Sequence, residues 1–161
     1  MKKIIDEVID ILKESNYTLC SCESLTGGLF SSTVTSYSGV SKFFKGCICS
    51  YSTLVKEDLL GIDKSLVDKV GVVSSEVAKE MALSSSKLLK SDIAISFTGN
   101  AGPSAMEGKE VGLVFIGIKF LDEIETYKLL LKGSRNEIRE NAVLEGFNIL
   151  KDKLGKRGKN L

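Results

Sequence analysis

Histidine is absent from this 161-residue sequence. That single absence excludes Ser-His-Asp and Cys-His catalysis, and with them the usual imidazole acid or base. A nucleophilic enzyme built from this chain must take its base from lysine, tyrosine or a carboxylate. Tryptophan is missing too, and proline occurs once, at Pro103. No apolar run approaches the roughly 20 residues needed to cross a membrane. The opening segment Met1-Lys2-Lys3-Ile4-Ile5-Asp6-Glu7 turns acidic where a secretion signal turns apolar, so a cytoplasmic protein is expected. Net charge is +1, which leaves no general field to draw the chain to nucleic acid or an anionic membrane.

Cysteine is present but sparse. The four fall in two Cys-x-Cys pairs, Cys20/Cys22 and Cys47/Cys49, each in an apolar run that reads as a strand. Pairs on neighbouring strands could meet around a metal, since alternate strand residues share a face. The spacing differs from the usual Cys-x2-Cys and no histidine completes a mixed site, so no metal is expected. Buried reduced thiols acting as small hydrophobes are the better reading.

With 43% hydrophobic and 27% charged residues, the chain is globular in composition and has the length of one domain. Ile4, Ile5, Val8, Ile9, Ile11 and Leu12 fall on one stripe, predicting an amphipathic helix over 2–14. Leu19 to Cys22 reads as a short buried strand. Thr26-Gly27-Gly28 opens a helix to about Tyr37, rich in small residues that allow close packing on a sheet. A second strand is expected from Phe43 to Tyr51, and a short helix from Leu54 to Leu60 that Gly61 stops. Asp63 caps another turn to Val70. Ser74 or Ser75 begins a longer helix, with acidic residues early and Lys87 and Lys90 late. Ile93–Phe97 is an apolar strand, and residues 98–110 form a loop. Val111–Phe120 and Glu123–Leu131 fit a strand pair turning at Asp122. Ser134 caps the last helix, to about Lys153. The basic cluster Lys151, Lys153, Lys156, Arg157 and Lys159 then reads as a frayed tail from about residue 154. Alternating helices and strands argue for one layered α/β domain, with the late strand pair making the sheet mixed.

Ser24 is the best candidate nucleophile. It follows a strand and precedes a helix start, where open α/β sheets bind ligands and where unpaired N–H groups suit an oxyanion or phosphate. Gly27 and Gly28 would let a substrate approach the backbone. The alternative is that Ser24 or Thr26 simply caps the helix. Tyr51 and Lys56 occupy the equivalent place after the next strand. The helix dipole and apolar neighbours Leu54 and Val55 would disfavour an ammonium at Lys56, making it a candidate base. An exposed helix lysine is the duller reading.

Ser84-Ser85-Ser86-Lys87 matches Ser-x-x-Lys but sits mid-helix without companion motifs, so it is discounted. The loop Thr98-Gly99-Asn100-Ala101-Gly102-Pro103-Ser104 is either a ligand cradle or a turn. Arg135 and Arg139, two of only three arginines, share a helix face. They suit a phosphate, or pair with Glu137 or Glu140 at the surface.

Taken in order, these segments resemble the CinA C-terminal domain family, which includes nicotinamide-nucleotide amidohydrolases. The matching segments are Glu23-Ser24-Leu25-Thr26-Gly27-Gly28, Gly46 through Lys56 with Tyr51-Ser52, and Leu60-Gly61. They continue with Gly71-Val72-Val73-Ser74, Thr98 to Pro103, Val111-Gly112-Leu113-Val114, and Gly133-Ser134-Arg135 with Arg139. The likeness runs from about residue 3 to residue 151. It implies a three-layer α/β/α sandwich with a mixed, mostly parallel sheet, and deamidation of nicotinamide mononucleotide without a cofactor. It also implies Ser24 as nucleophile, Lys56 as base, and Tyr51 as relay or orienting group. Glu23, Thr26, Gly27, Gly28, Thr98, Gly99, Asn100, Ala101, Gly102, Arg135 and Arg139 would form the substrate pocket, with backbone N–H groups near Gly27 and Gly28 holding the oxyanion.

Two features depart from the family pattern. Ser104-Ala105-Met106-Glu107-Gly108 replaces a glycine run, and its carboxylate would repel a phosphate. The larger family proteins carry an N-terminal nucleotide-processing domain with no counterpart here, so a stand-alone domain is expected. A homodimer is the expected assembly on base rates. A non-catalytic nucleotide-binding or partner module in competence or the DNA-damage response is the alternative function.

Overall fold

A computed structural model describes residues 2–158. The chain runs α1 (Lys2–Glu14), β1 (Leu19–Glu23), α2 (Leu29–Thr35), β2 (Phe44–Cys49), α3 (Thr53–Asp58) and α4 (Lys64–Val70). It continues through α5 (Ser75–Leu89), β3 (Ile93–Gly99), β4 (Leu113–Phe120), β5 (Glu123–Leu130) and α6 (Arg135–Gly158). The expected elements are present. Their starts follow local chemistry: Asp63 Oδ1 accepts from Ser65 N, and Ser74 Oγ accepts from Val77 N. Ser134 and Glu137 form a reciprocal capping box at α6, Ser134 N donating to Glu137 Oε2 at 2.7 Å.

Five strands make one sheet in the order β2-β1-β3-β4-β5. β1 pairs in parallel with β2 and β3, while β4 is antiparallel to both β3 and β5. Four strands therefore point one way and only β4 is reversed. Helix α5 covers one face, and α1, α2 and α6 cover the other, giving three layers. Gly117 of β4 allows the close approach of α5, because a Cβ there would lie 2.4 Å from the Ala78 carbonyl oxygen. The small-residue helix α2 instead packs through Phe30, stacked on Phe147 and tilted against Phe97.

The register separates the two cysteine pairs and corrects the expected burial of the second. Ser21 pairs with Cys47 and Glu23 with Cys49, so the second cysteine pair lies on the α2 face while Cys20 and Cys22 face α5. Four thiols on opposite faces of a sheet cannot converge on one ion. Cys20 and Cys22 are buried as expected, but Cys47 is half-buried and Cys49 exposed, because β2 is an edge strand. The C-terminal segment also differs from expectation. Instead of fraying from residue 154, α6 remains helical through Gly158, with Lys151 paired to Glu7 and Lys153 to Glu125. Lys159 lies outside the described residues. Among those residues no helix is long and apolar enough to cross a membrane.

Candidate active site

The topology gathers three carboxyl strand ends. β1 leads into Ser24, β2 into Ser50 and Tyr51, and β3 into Asn100, with β1 flanked by the other two. This is the place where open α/β sheets bind ligands. A cleft there is lined by Ser24, Leu25, Tyr51, Gly99, Asn100, Ala101, Gly102, Ser104, Met106 and Arg135. Leu25 and Met106 were not expected in it, and Ser104 only as the end of the possible 98–104 cradle. Leu25 carries no chemical signal beyond following Ser24, and the other two arrive through the path of the 100–112 loop.

Ser24 is 9% exposed, and its N–H donates to the Phe97 carbonyl, which ties it to the central strand β3. Lys56 is 1% exposed. Its Nζ donates to the Ser50 carbonyl at 2.6 Å and stands 3.1 Å from Ser24 Oγ. Burial lowers the Lys56 pKa, against smaller opposing effects of Cys22, Cys49 and Glu107. The cause differs from the sequence argument. Lys56 sits in the last turn of α3, where the dipole favours a cation, and Leu54 is exposed. Its orientation into the interior, not the dipole, disfavours the charge.

Tyr51 is 60% exposed and its hydroxyl accepts from Arg135 Nη2 at 3.1 Å. The structure thus places Tyr51 with Arg135 in the cleft wall, and gives it no hydrogen bond to Ser24 or Lys56. Arg135 also donates to the Gly102 carbonyl at 2.6 Å. Both partners are neutral, so its charge is uncompensated there. The surface pairing with Glu137 does not form, since that carboxylate caps α6.

Glu23 differs most from expectation. Its side chain is fully buried and accepts from Gly28 N, Phe30 N, Ser31 N, Ser21 Oγ and Cys47 Sγ. Gly27 N donates to the Ser24 carbonyl, and Leu29 N to the Thr26 carbonyl. The N-terminal donors of α2 are therefore occupied within the protein, and Gly27 and Gly28 cannot offer theirs to an oxyanion. Both glycines have positive φ, 57° and 96°, which bends the turn back so that Gly28 N reaches the carboxylate. Leu25 N and Thr26 N have no partner among the described residues.

Thr26 and Thr98 are buried and do not line the cleft. Thr98 Oγ1 donates to the Val72 carbonyl. Asn100 Nδ2 reaches the carbonyls of Met106, Lys109 and Glu110, so its amide pins the loop. The added carboxylate Glu107 accepts from Val72 N at 2.8 Å, Val73 N at 3.4 Å and Lys109 Nζ at 2.9 Å. Held this way, it is a strut neutralised by Lys109 and not a wall of the cleft. Arg139 donates through Nε to the Leu25 carbonyl and through Nη2 to the Thr26 carbonyl, both at 3.0 Å. It too lies outside the cleft lining. In the Ser-x-x-Lys segment Ser84 is half-buried and Lys87 exposed on α5, with no hydrogen bond between them, and the intervening Ser85 and Ser86 are buried against the carbonyls of Ala82 and Ser91.

The sequence profile of the CinA C-terminal domain matches residues 1–154. The chain belongs to that family. A competence-damage inducible protein of Bacillus cytotoxicus is 46% identical over 149 residues, covering 92% of this chain and 36% of the relative. One of Bacillus subtilis is 43% identical over 147 residues, covering 91% and 35%. The chain thus spans about a third of the length of these curated relatives. Among solved structures, a CinA superfamily protein of Klebsiella pneumoniae superposes with a TM-score of 0.92 at 24% identity, over 96% of this chain and 97% of that one. A CinA superfamily protein of Enterobacter cloacae gives 0.90 at 26% identity, covering 94% and 90%. The α/β fold is that of the CinA superfamily.

Proposed function

We propose that this CinA-family chain is an amidohydrolase that deamidates nicotinamide mononucleotide to nicotinate mononucleotide and ammonia. The observation that carries this reading is the buried Lys56 Nζ, 3.1 Å from Ser24 Oγ and fixed by the Ser50 carbonyl. A neutral lysine has two N–H bonds and one lone pair. With one N–H donated to Ser50, the lone pair can accept the Ser24 hydroxyl proton.

Ser24 Oγ then attacks the carboxamide carbon, and its proton passes to Lys56. The tetrahedral oxyanion draws on the N–H of Leu25, a residue of the cleft lining whose N–H has no partner among the described residues. Lys56 returns the proton to the leaving nitrogen, ammonia departs, and an acyl ester remains on Ser24. Water, deprotonated by Lys56, cleaves that ester; nicotinate mononucleotide leaves and Lys56 returns the proton to Ser24 Oγ. Anionic substrate is favoured because Arg135 and Arg139 have neutral partners, which leaves positive charge beside the cleft. Arg135, in the cleft wall, is the residue to meet a phosphate.

The test is ammonia release from nicotinamide mononucleotide by the wild type and by Ser24→Ala. Release that is lost in a folded Ser24→Ala supports the reading. No release from the wild type, or a variant within tenfold of it, overturns it. The relatives' competence-damage name supports a second reading, a non-catalytic module, which predicts nucleotide binding without ammonia.

A further inference from the structure

The cleft does not absorb Arg139, although its guanidinium is committed to the nucleophile turn. Residues 24–28 are held at three places. Ser24 N is tied to the Phe97 carbonyl, the Glu23 carboxylate gathers Gly28, Phe30 and Ser31 N–H, and Arg139 grips the carbonyls of Leu25 and Thr26. Among the described residues the Leu25 carbonyl has no other partner. In a trans peptide the C=O and N–H point in opposite directions. By drawing the Leu25 carbonyl towards α6, Arg139 sets the Thr26 N–H pointing away from it, unpartnered. A planar guanidinium suits this two-carbonyl grip, whereas an ammonium is a point charge.

We propose that Arg139 is a positioning residue for the Ser24 turn and not a ligand of the substrate phosphate. The inference rests on Ser24 being the nucleophile proposed above. Misplacing a nucleophile turn lowers turnover whatever the substrate carries at its far end, whereas losing a phosphate ligand affects only phosphorylated substrates.

The experiment compares wild type, Arg139→Gln and Arg139→Lys with fold checked by circular dichroism. Turnover is measured on nicotinamide mononucleotide and on its phosphate-free nucleoside. In parallel, the rate at which a serine-directed organophosphonate labels Ser24 is measured, a readout that needs no amide substrate. Positioning predicts that Arg139→Gln lowers kcat about 10- to 100-fold on both substrates. It also predicts a nucleotide KM within threefold of wild type and labelling slowed to a similar degree. Arg139→Lys should fall short of wild type in labelling despite its charge, and it serves as the second variant if Gln does not fold. Unchanged labelling, with a raised KM for the nucleotide alone, overturns the proposal and makes Arg139 a phosphate ligand. If the wild type releases no ammonia but its Ser24 is labelled, the substrate reading fails and the labelling comparison still decides Arg139. An unlabelled wild-type Ser24 overturns both.

Discussion

Lys56 reaches Ser24 across 32 residues of sequence, Nζ to Oγ 3.1 Å, from a helix only six residues long. The pair contains no carboxylate, and the second partner of Lys56 is the Ser50 carbonyl. Lysine in that setting can lose its proton, which arginine cannot do near neutral pH. Lys56→Arg should therefore lower kcat about as far as Lys56→Ala, by roughly 10²- to 10⁴-fold. If the arginine variant keeps most of its activity while the alanine variant is dead, Lys56 supplies charge and not basicity.

Burial also makes Lys56 a pH sensor. Its pKa in the folded protein is below the ordinary 10.5, so kcat should climb with pH through that lowered value and then level off. Between the lowered and ordinary values the unfolded chain holds the proton and the native one does not, so stability rises with pH there. Lys56→Met removes this contribution. Its stability advantage over wild type, or its deficit, should shift in favour of wild type as pH rises through the window, as measured by urea unfolding. A constant difference from pH 7 to pH 10.5 would count against a buried, depressed lysine.

Tyr51 meets Arg135 and not the Ser24–Lys56 pair. Tyr51→Phe should therefore raise KM three- to tenfold, the equivalent of about 0.5–1.5 kcal/mol for one hydrogen bond, with kcat little changed. A collapse of kcat matching Lys56→Ala would restore Tyr51 as a proton relay.

Glu23→Gln tests the anchoring of α2. The carboxylate accepts three backbone N–H groups, and an amide turns one acceptor into a donor facing them. The variant should lose about 1–3 kcal/mol of stability in denaturant titration. Unaltered stability would mean the N–H groups find other partners.

Glu107 joins the 104–110 loop to Val72 and Val73. Glu107→Ala should hasten cleavage within residues 104–108 in limited proteolysis, with thermal stability changed little because the carboxylate is partly exposed. Cleavage as slow as in wild type would show that Asn100 holds the loop alone.

Much of the fold was legible because its signals are local. The stripe of α1 and the caps at Asp63, Ser74 and Ser134 depend on hydrogen bonds and faces within one or two helical turns. The missing histidine and the place of Ser24 after a strand made Ser24 and Lys56 candidates, and the family resemblance singled them out; the fold brings their side chains together. Other roles were not legible, since they turn on what lies opposite in space. Arg135 and Arg139 are one helical turn apart and chemically identical, yet one lines the cleft and the other grips the Leu25 and Thr26 carbonyls. Glu23 looked like a pocket residue until its carboxylate was seen under the N–H groups of α2. Glu107 looked repulsive until Lys109 and the Val72 amide were seen to face it. Sequence spacing determines which residues share a strand face or helix stripe. Which group each one meets depends on strand order and register, and these bring together residues far apart in the chain.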